Sequence, residues 1–259
     1  MVDADLTLAL AAADAAATVI ARAFTEPVEA QWKGTVDPVT ATDRQAEEAA
    51  LDVIRRARPG DLLLAEESGG AGWETGRVWI VDPLDGTVNF VHRVPQVAVS
   101  VALWTNGEPV IGVVADVTSG ARFAAGRGQG ATLDGRPISV SPTPRLAQSL
   151  IGTGFGYDRT ERADHYARVL GRVLARCVGI RRIGSAALDL CWVAAGRFDG
   201  YWEERLKPWD SAAGALIVEE AGGIVTSLDG SVFRLDAPGV VASNGHVHEE
   251  LLAALQGNE

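Results

Sequence analysis

The stretch Trp79-Ile80-Val81-Asp82-Pro83-Leu84-Asp85-Gly86-Thr87 carries the pattern that decides the interpretation of this chain. A short apolar strand, Val78 to Val81, is predicted to run into a turn that carries two carboxylates three residues apart. The proline between Asp82 and Asp85 fixes φ, and the glycine after them permits tight backbone geometry. Two carboxylates held so close repel each other unless a proton or a cation lies between them. Hard oxygen ligands on a stiff loop suit Mg²⁺ or Mn²⁺.

Two other interpretations of this stretch compete. Asp-Pro and Asp-Gly are common turn pairs, so the segment alone is compatible with an ordinary turn. It also looks like the Asp-x-Asp-Gly-Thr signature of haloacid-dehalogenase phosphatases, in which the two aspartates lie two residues apart. Here Pro83 and Leu84 separate the aspartates by three positions, so that match fails.

Length and charge limit the class of protein. A chain of 259 residues makes one large domain or two small ones, and 47% hydrophobic with 22% charged residues is ordinary for a globular protein. The net charge of −11 argues against a nucleic-acid backbone or an anionic membrane as partner. If the substrate is a phosphate ester, bound metal would have to supply the positive charge at the site.

The cysteines and the N-terminus indicate the compartment. Cys177 and Cys191 lie in apolar stretches and are predicted to be buried free thiols. The N-terminus has no basic n-region, and its Ala-rich run is interrupted by Asp14 and Arg22. We therefore expect neither a signal peptide nor a membrane span, and a cytoplasmic protein.

The first half, to about residue 140, is predicted to contain helices followed by an antiparallel sheet. Apolar residues at helical spacing predict a helix over about 4–24, and a loop follows over 26–40. A capping box at Thr42 and Gln45 predicts a second helix that stops at Pro59-Gly60. Strands are predicted at 62–65, 97–104 and 109–115, the last two joined by a hairpin at Asn106-Gly107.

The second half, about 141–259, alternates strands and helices and is predicted to be an α/β unit of the same single domain, 1–259. Strands are expected at 150–151, 178–183, 198–202, 224–226 and 239–242, and helices at 162–176, 184–196, 209–222 and 246–256.

Carboxylates recur where predicted strands and helices start or end: Asp43, Glu66, Asp82, Asp85 and Asp210. Taken alone, Asp210 at a helix N-terminus is ordinarily just a cap. Gly184-Ser185-Ala186, at the start of another predicted helix, offers free backbone N–H groups, which is a general and weak signal for an anion site.

Four separated motifs together resemble the inositol monophosphatase family of Mg²⁺-dependent, lithium-sensitive phosphatases. They are found, in the family's order, at 33–43, 65–68, 79–93 and 209–223, and the likeness covers nearly the whole chain. Segments 151–157 and 181–191 are most similar to actinobacterial inositol-1-monophosphatases.

The resemblance implies a layered α-β-α-β-α sandwich, commonly a homodimer, with two or three Mg²⁺ ions, for which Mn²⁺ could substitute. The implied metal ligands are Glu66, Asp82, Asp85, Asp210 and the carbonyl of Leu84. Glu66 and Thr87, helped by Asp43, would position and activate a water molecule held by the metal. The implied substrate contacts are Asp85, Asp210, the Gly86 and Thr87 N–H groups on the phosphate, and Glu203 with Gly184, Ser185 and Ala186 on the inositol hydroxyls.

The expected activity is hydrolysis of myo-inositol 1-phosphate, and several alternatives remain. Histidinol phosphate, fructose 1,6-bisphosphate or NADP could be the substrate instead, although His92-Arg93 favours the inositol type. The loop from Glu204 to Pro208 would touch the leaving group and leaves the substrate open. An enzyme of another class would use Asp82 as a covalent nucleophile, and a non-enzymatic alternative is an accessory binding protein of transcription.

Overall fold

A computed structural model describes residues 2–25, 30–32, 38–70 and 72–257. The helices are α1 (Val2–Ala23), α2 (Ala41–Ala57), α3 (Thr87–His92), α4 (Ala163–Leu174), α5 (Ala186–Ala194), α6 (Pro208–Glu220) and α7 (His248–Gln256). The strands are β1 (Ala30–Trp32), β2 (Pro38–Thr40), β3 (Leu62–Ala65), β4 (Gly69–Gly70), β5 (Arg77–Asp85), β6 (Ala98–Thr105), β7 (Glu108–Asp116), β8 (Arg122–Gly126), β9 (Ala131–Leu133), β10 (Arg136–Pro137), β11 (Leu150–Thr153), β12 (Gly179–Arg181), β13 (Gly200–Glu204), β14 (Ile224–Ser227) and β15 (Gly239–Ser243).

The first sheet has eight strands in the order β10-β9-β8-β7-β6-β5-β3-β4. The predicted hairpin between β6 and β7 is confirmed, and Asn106 and Gly107 take φ values of 52° and 80°, as a tight two-residue turn requires. The sheet is not wholly antiparallel as predicted. β3 and β5 run parallel, with Ala65 beside Val81, so the ends of these two strands lie side by side.

The second sheet has five strands in the order β12-β11-β13-β15-β14. β11 lies between β12 and β13 and runs parallel to both, while β15 pairs antiparallel with β13 and β14. The α/β character predicted for this half is present in the parallel part, where α4 and α5 connect the strands.

The two sheets and the helices form five layers. α1 and α2 cover one face of the first sheet through an Ala-rich apolar cluster. α5 and α6 fill the space between the two sheets. α4 and α7 cover the outer face of the second sheet. The α-β-α-β-α sandwich expected from the resemblance is therefore confirmed.

Helix α1 is long and apolar enough, over Asp3–Ala23, to cross a membrane by length and composition alone. Its apolar side, however, includes Ala9, Ala12, Ala16 and Ile20, all fully buried against α2 and the first sheet. A core helix passes the same composition test, and the observed packing accounts for the apolar residues of α1.

Helix α2 starts earlier than predicted, and its cap is a different pair of residues. Thr40, not Thr42, is the N-cap: its Oγ1 accepts the N–H of Thr42 at 3.1 Å. Asp43, not Gln45, completes the box, since its Oδ2 accepts the Thr40 N–H at 2.8 Å. The reason is that β2 pairs with β1 through Thr40, so the extended backbone ends at that residue.

The β1–β2 ribbon also corrects the loop predicted over 26–40, because residues 30–32 and 38–40 are strands. Lys33 and Asp37 lie outside the described residues. Both cysteines are free as predicted, but only Cys191 is fully buried, whereas Cys177 is partly exposed.

Close packing of the middle layer on the first sheet generates a testable prediction. Gly112 of β7 faces α6 so closely that an added Cβ would lie 2.6 Å from the Ala213 carbonyl oxygen. We expect Gly112→Ala to destabilise the protein by about 1–3 kcal/mol, because backbone has to move. Thermal unfolding followed by circular dichroism measures the shift. Gly171→Ala in α4 is the control, because a Cβ added there would have no atom within 4 Å. Its melting temperature should be no lower than that of wild type. Equal melting temperatures for the two variants would contradict this account of the packing.

Candidate functional site

The two motif aspartates lie in a bulge of a central strand, not in a turn after it. β5 continues through both aspartates to Asp85, and its register against β6 shifts between Asp82 and Asp85. The Leu84 N–H turns back to donate to Asp82 Oδ1 at 3.0 Å. A bulge re-aims side chains that strict alternation would send to opposite faces. The predicted turn is thus corrected, while the predicted convergence of both carboxylates is retained.

Three further elements bring carboxylates to the same place. Glu66 follows β3 directly, and its N–H donates to the Val81 carbonyl at 3.2 Å, so it lies beside Asp82. The Glu66 and Asp82 carboxyl groups are within hydrogen-bond contact. Asp210 enters at the first turn of α6, where its Oδ2 accepts the Lys207 N–H at 2.7 Å. All four carboxylates line one pocket of about 530 Å³.

Burial and mutual repulsion raise the pKa of these groups. The pKa of Asp82 is raised well above its ordinary value, first by burial and then by the charges of Glu66, Asp85 and Asp210. Burial also raises the pKa of Asp210 well above normal, against the opposing Lys207 N–H. The pKa of Asp85 is raised less, because hydrogen bonds from Ser185 and Ala187 partly offset the effect of burial. Without a cation, protons must relieve this cluster.

The donor set fits a hard divalent cation. In the described part of the chain, no three His, Cys, Asp or Glu side chains form a ready ligand set as they stand. However, Glu66 and Asp82 approach closely enough to share a hydrogen bond, which requires a proton that a cation could replace. Carboxylate and carbonyl oxygens are the ligands that Mg²⁺ and Mn²⁺ prefer. The four carboxylates and the Leu84 carbonyl are the groups that could hold it.

The predicted catalytic pair Thr87 and Asp43 is in direct contact. Thr87 Oγ1 lies 3.1 Å from Asp43 Oδ1 and 3.1 Å from the Leu84 carbonyl oxygen. The other oxygen of Asp43 is held by the Thr40 hydroxyl at 2.6 Å. Burial nevertheless raises the pKa of Asp43 above its ordinary value, against the hydrogen bonds from Thr40 and Thr87.

Gly86 allows β5 to turn into α3 at the pocket. Its φ is 93°, and an added Cβ would lie 2.8 Å from the Gln96 carbonyl oxygen, so only glycine fits without strain. One turn later, Asn89 Nδ2 donates to the carbonyls of Gln96, at 2.9 Å, and Ile183, at 2.8 Å. This amide therefore ties the Gly86 end of the pocket to the segment before α5.

The start of α5 is already engaged by Asp85. Asp85 Oδ2 accepts the Ser185 hydroxyl at 2.5 Å and the Ala187 N–H at 2.8 Å. Gly184 and Ala186 line the pocket, whereas Ser185 is buried behind Asp85. The free N–H groups expected at this helix start are thus partly used to hold a carboxylate, and Ser185 acts through Asp85.

Glu203 lies on the opposite wall, in β13. Burial raises its pKa to about 7, although the Tyr201 hydroxyl, 2.5 Å from its Oε2, opposes the shift. An added Cβ on Gly154 would overlap the Glu203 carboxylate at 1.9–2.2 Å, so the glycine directly after the neighbouring strand β11 makes room for it. Glu203 lines the same pocket as the four carboxylates.

Sequence reasoning missed two buried acids. Glu47 of α2 accepts the N–H groups of Glu67 at 2.7 Å and Ser68 at 3.0 Å, and so fixes the segment that carries Glu66. Asp189 of α5 is 1% exposed, neither of its oxygens has a hydrogen-bond partner among the described residues, and its pKa is raised well above normal by burial. A lone acid in the apolar run Leu188 to Cys191 was the available signal.

Comparison with known proteins agrees with this fold. The sequence profile of the Inositol monophosphatase family matches residues 1–259. An inositol-1-monophosphatase of Synechocystis is 46% identical over 87% of this chain and 79% of its own length. The Nus factor SuhB of Salmonella typhimurium is 42% identical over 97% of this chain and 95% of its own. The structure of an inositol monophosphatase from Anabaena superposes with a TM-score of 0.90 at 40% identity, covering 99% and 97% of the two chains.

The layered fold and its acidic pocket define a phosphatase, a phosphoric monoester hydrolase. The chain belongs to the inositol monophosphatase family, whose members are generally metal-dependent.

The carboxylate cluster predicts a pH-dependent response to metal. In metal-free protein the folded pKa values of Asp82 and Asp210 lie above their unfolded values, so the folded state holds more protons. Stability should therefore fall as pH rises through the folded pKa values. At a hundred times its Kd, Mg²⁺ should raise the free energy of unfolding by about 2.7 kcal/mol and Tm by roughly 5–10 °C. Its binding should also release protons from the carboxyl groups.

Differential scanning fluorimetry between pH 5.5 and 8, on protein from which metal has been removed with a chelator, measures the stability. Calorimetry in two buffers of different ionisation enthalpy counts the protons released when Mg²⁺ binds. Asp210→Asn should show a smaller Mg²⁺ response, whereas Asp164→Asn, on an exposed turn of α4, should match wild type. A melting curve unmoved by millimolar Mg²⁺ would mean that these carboxylates share no cation site.

Proposed function

We propose that this protein hydrolyses a phosphate monoester with Mg²⁺, and that myo-inositol 1-phosphate is the substrate. The observation that carries the proposal is that four carboxylates line one pocket together with Thr87, whose hydroxyl contacts Asp43. Cations held there would neutralise the phosphate and lower the pKa of the attacking water. The number of ions in our proposal, two or three, is what membership of the inositol monophosphatase family suggests.

Thr87, Asp43 and Glu66 handle the proton of the nucleophile in this proposal. The Thr87 hydroxyl can accept a hydrogen bond from water while donating its own hydrogen to Asp43. A water oriented by Thr87 and Glu66 attacks phosphorus, and its proton passes to this carboxylate network. Asp43 is held by Thr40 from behind, so the network keeps its geometry without help from solvent.

The opposite wall serves the leaving group. When the P–O ester bond breaks, the leaving oxygen takes up a proton, which balances the one released by the attacking water, and the alcohol is released. Glu203, with Asp85 and the Gly184 and Ala186 backbone, faces the space that this alcohol would occupy. A carboxylate whose pKa is about 7 can accept a hydrogen bond from a hydroxyl when ionised, which suits a polyol. Gly86 and Thr87 lie where the phosphate would bind.

The similarity to an inositol-1-monophosphatase supports inositol phosphate over histidinol phosphate, fructose 1,6-bisphosphate or NADP. A second candidate function rests on the relatives named Nus factor SuhB: this chain could also act as an accessory factor. Because the net charge is −11, we expect such a role to depend on contacts with other proteins and not on direct binding of nucleic acid. We further propose that the protein is cytoplasmic and that it forms a homodimer. Light scattering of the purified protein tests the dimer.

Asp82→Asn should abolish turnover. The change removes one charge and one ligand oxygen but keeps the size of the side chain, so the fold should survive. We expect at least a hundredfold loss of kcat for phosphate release from myo-inositol 1-phosphate at saturating Mg²⁺. The assay panel also contains histidinol phosphate, fructose 1,6-bisphosphate and NADP.

The control for Asp82→Asn is Asp164→Asn, which should keep the wild-type rate. More than about a tenth of wild-type activity in Asp82→Asn would contradict a direct role in holding metal.

Glu203→Gln should change substrate preference more than metal affinity. The amide keeps one acceptor oxygen but cannot ionise, so the contact to a substrate hydroxyl weakens. We expect a roughly tenfold loss of kcat/KM for inositol phosphate and a smaller loss for phenyl phosphate, which has no hydroxyl to bind. The Mg²⁺ concentration for half-maximal rate should stay within twofold. A shift in Mg²⁺ dependence at unchanged preference would show that Glu203 belongs to the metal site instead.

A further inference from the structure

Asp189 is a buried acid that takes no part in holding the carboxylate cluster. It lies in the apolar helix α5, one turn after the Ser185 hydroxyl that donates to Asp85, and it is 1% exposed. Neither of its carboxyl oxygens has a hydrogen-bond partner among the described residues. An unpartnered buried carboxyl group costs free energy, and in folded proteins such a group is ordinarily satisfied by a buried water molecule.

The carboxyl group of Asp189 lies against β11, beside Glu203. An added Cβ on Gly152 would lie 2.8 Å from Asp189 Oδ1, so this glycine leaves the space that Asp189 fills. Gly154, two residues further along the chain, leaves the space for the Glu203 carboxylate in the same way. Positions two residues apart on a strand point to the same side and are roughly 6.6 Å apart. The two acids therefore lie side by side, with Glu203 in the pocket wall and Asp189 behind it.

One water molecule can join these two carboxyl groups. The Tyr201 hydroxyl donates to Glu203 Oε2 at 2.5 Å, which leaves Oε1 able to accept another hydrogen bond. Burial, and after it the charge of Glu203, raises the pKa of Asp189 well above its ordinary value, which favours a neutral acid with one O–H to donate. A water molecule can accept that hydrogen bond and donate to Glu203, because a buried water needs only two to four polar partners.

We propose that Asp189 is a positioning residue, which holds a buried water molecule against the Glu203 carboxylate and so fixes the orientation of Glu203 toward the alcohol of the leaving group. The water bridge is a property of the folded protein. Its effect on the reaction rests on the proposed function, in which Glu203 accepts a hydrogen bond from a substrate hydroxyl. The Tyr201 hydroxyl holds one oxygen of Glu203 and the water holds the other, so the carboxylate is kept from rotating about its terminal bond.

Two substitutions of Asp189 separate this role from packing. Asp189→Asn keeps a donor and an acceptor, and should keep the wild-type KM for myo-inositol 1-phosphate. Asp189→Leu has a similar size but no polar atom, and should raise that KM about fivefold with kcat within twofold. KM for phenyl phosphate, which has no hydroxyl for Glu203 to bind, should not change. In a Glu203→Gln background, Asp189→Leu should add no further loss, because the group that it positions is already altered.

The control is Val193→Ala, in the same helix and fully buried. It should lower the melting temperature and leave the ratio of the two KM values unchanged. If Asp189→Leu does not fold, Gly152→Ala replaces it, since the added Cβ would press on the Asp189 carboxyl group and should give the same selective rise in KM. A wild-type KM for myo-inositol 1-phosphate in the folded variant, or an equal rise for both esters, would overturn the positioning role.

A high-resolution crystal structure tests the bridge without turnover. Wild type should show a water molecule within about 3 Å of one oxygen of Asp189 and of one oxygen of Glu203, and Asp189→Leu should lack it. If the water is present but myo-inositol 1-phosphate is not hydrolysed, the proposed function is wrong and the bridge stands. Direct contact between the two carboxyl groups, or no water between them, would overturn the bridge whatever the substrate.

Discussion

The structure depends on holding four carboxyl groups together in a poorly solvated pocket. Glu66, Asp82, Asp85 and Asp210 repel one another, at a cost of about 4 kcal/mol for a pair 4 Å apart in a medium of intermediate polarity. The protein offsets part of this with N–H donors. Leu84 donates to Asp82, Ala187 to Asp85 and Lys207 to Asp210. Those donors come from a strand bulge and from two helix starts, so the central layer must be placed accurately before the pocket can exist.

The middle layer is placed by packing. α6 is apolar nearly all round, with residues 211–218 buried, because it lies between two sheets and has no face left for water. Gly112 lets this helix approach β7, and Gly214 lets it approach Leu190 of α5. The Trp209 carbonyl accepts the Ser100 hydroxyl at 3.2 Å, which joins the first turn of α6 to β6 beside the aspartate bulge. Apolar contacts thus bring Asp210 from the second half of the chain to the carboxylates of the first.

Much of this arrangement could be predicted from the sequence, because its signals are local. The strand at Leu62–Ala65, the hairpin at Asn106-Gly107 and the carboxylates at element ends are all readable from short windows. The cap of α2 was misplaced because Thr40-x-x-Asp43 and Thr42-x-x-Gln45 are both acceptable boxes, and only the pairing of β2 with β1 decides between them. Glu47 and Asn89 were missed for a similar reason. Each forms hydrogen bonds with backbone groups 7 to 94 residues away along the chain. Short sequence patterns do not predict such contacts.

The carboxylate floor of the pocket and its rim, the loops 155–162 and 204–207 that contribute to its lining, differ in how strongly the fold constrains them. Asp82, Asp43 and Glu47 are at most 5% exposed and bonded to backbone, so replacing one leaves a buried group unpaired. The rim consists of short exposed loops, and its pairs Arg205–Asp158 and Arg162–Glu204 are partly in water. Changes there cost little stability. Arg205, at φ 65°, is the one rim position under backbone strain among the described loop residues after β13. The fold therefore holds the carboxylates rigidly, and the side chains of these loops can vary at small cost in stability.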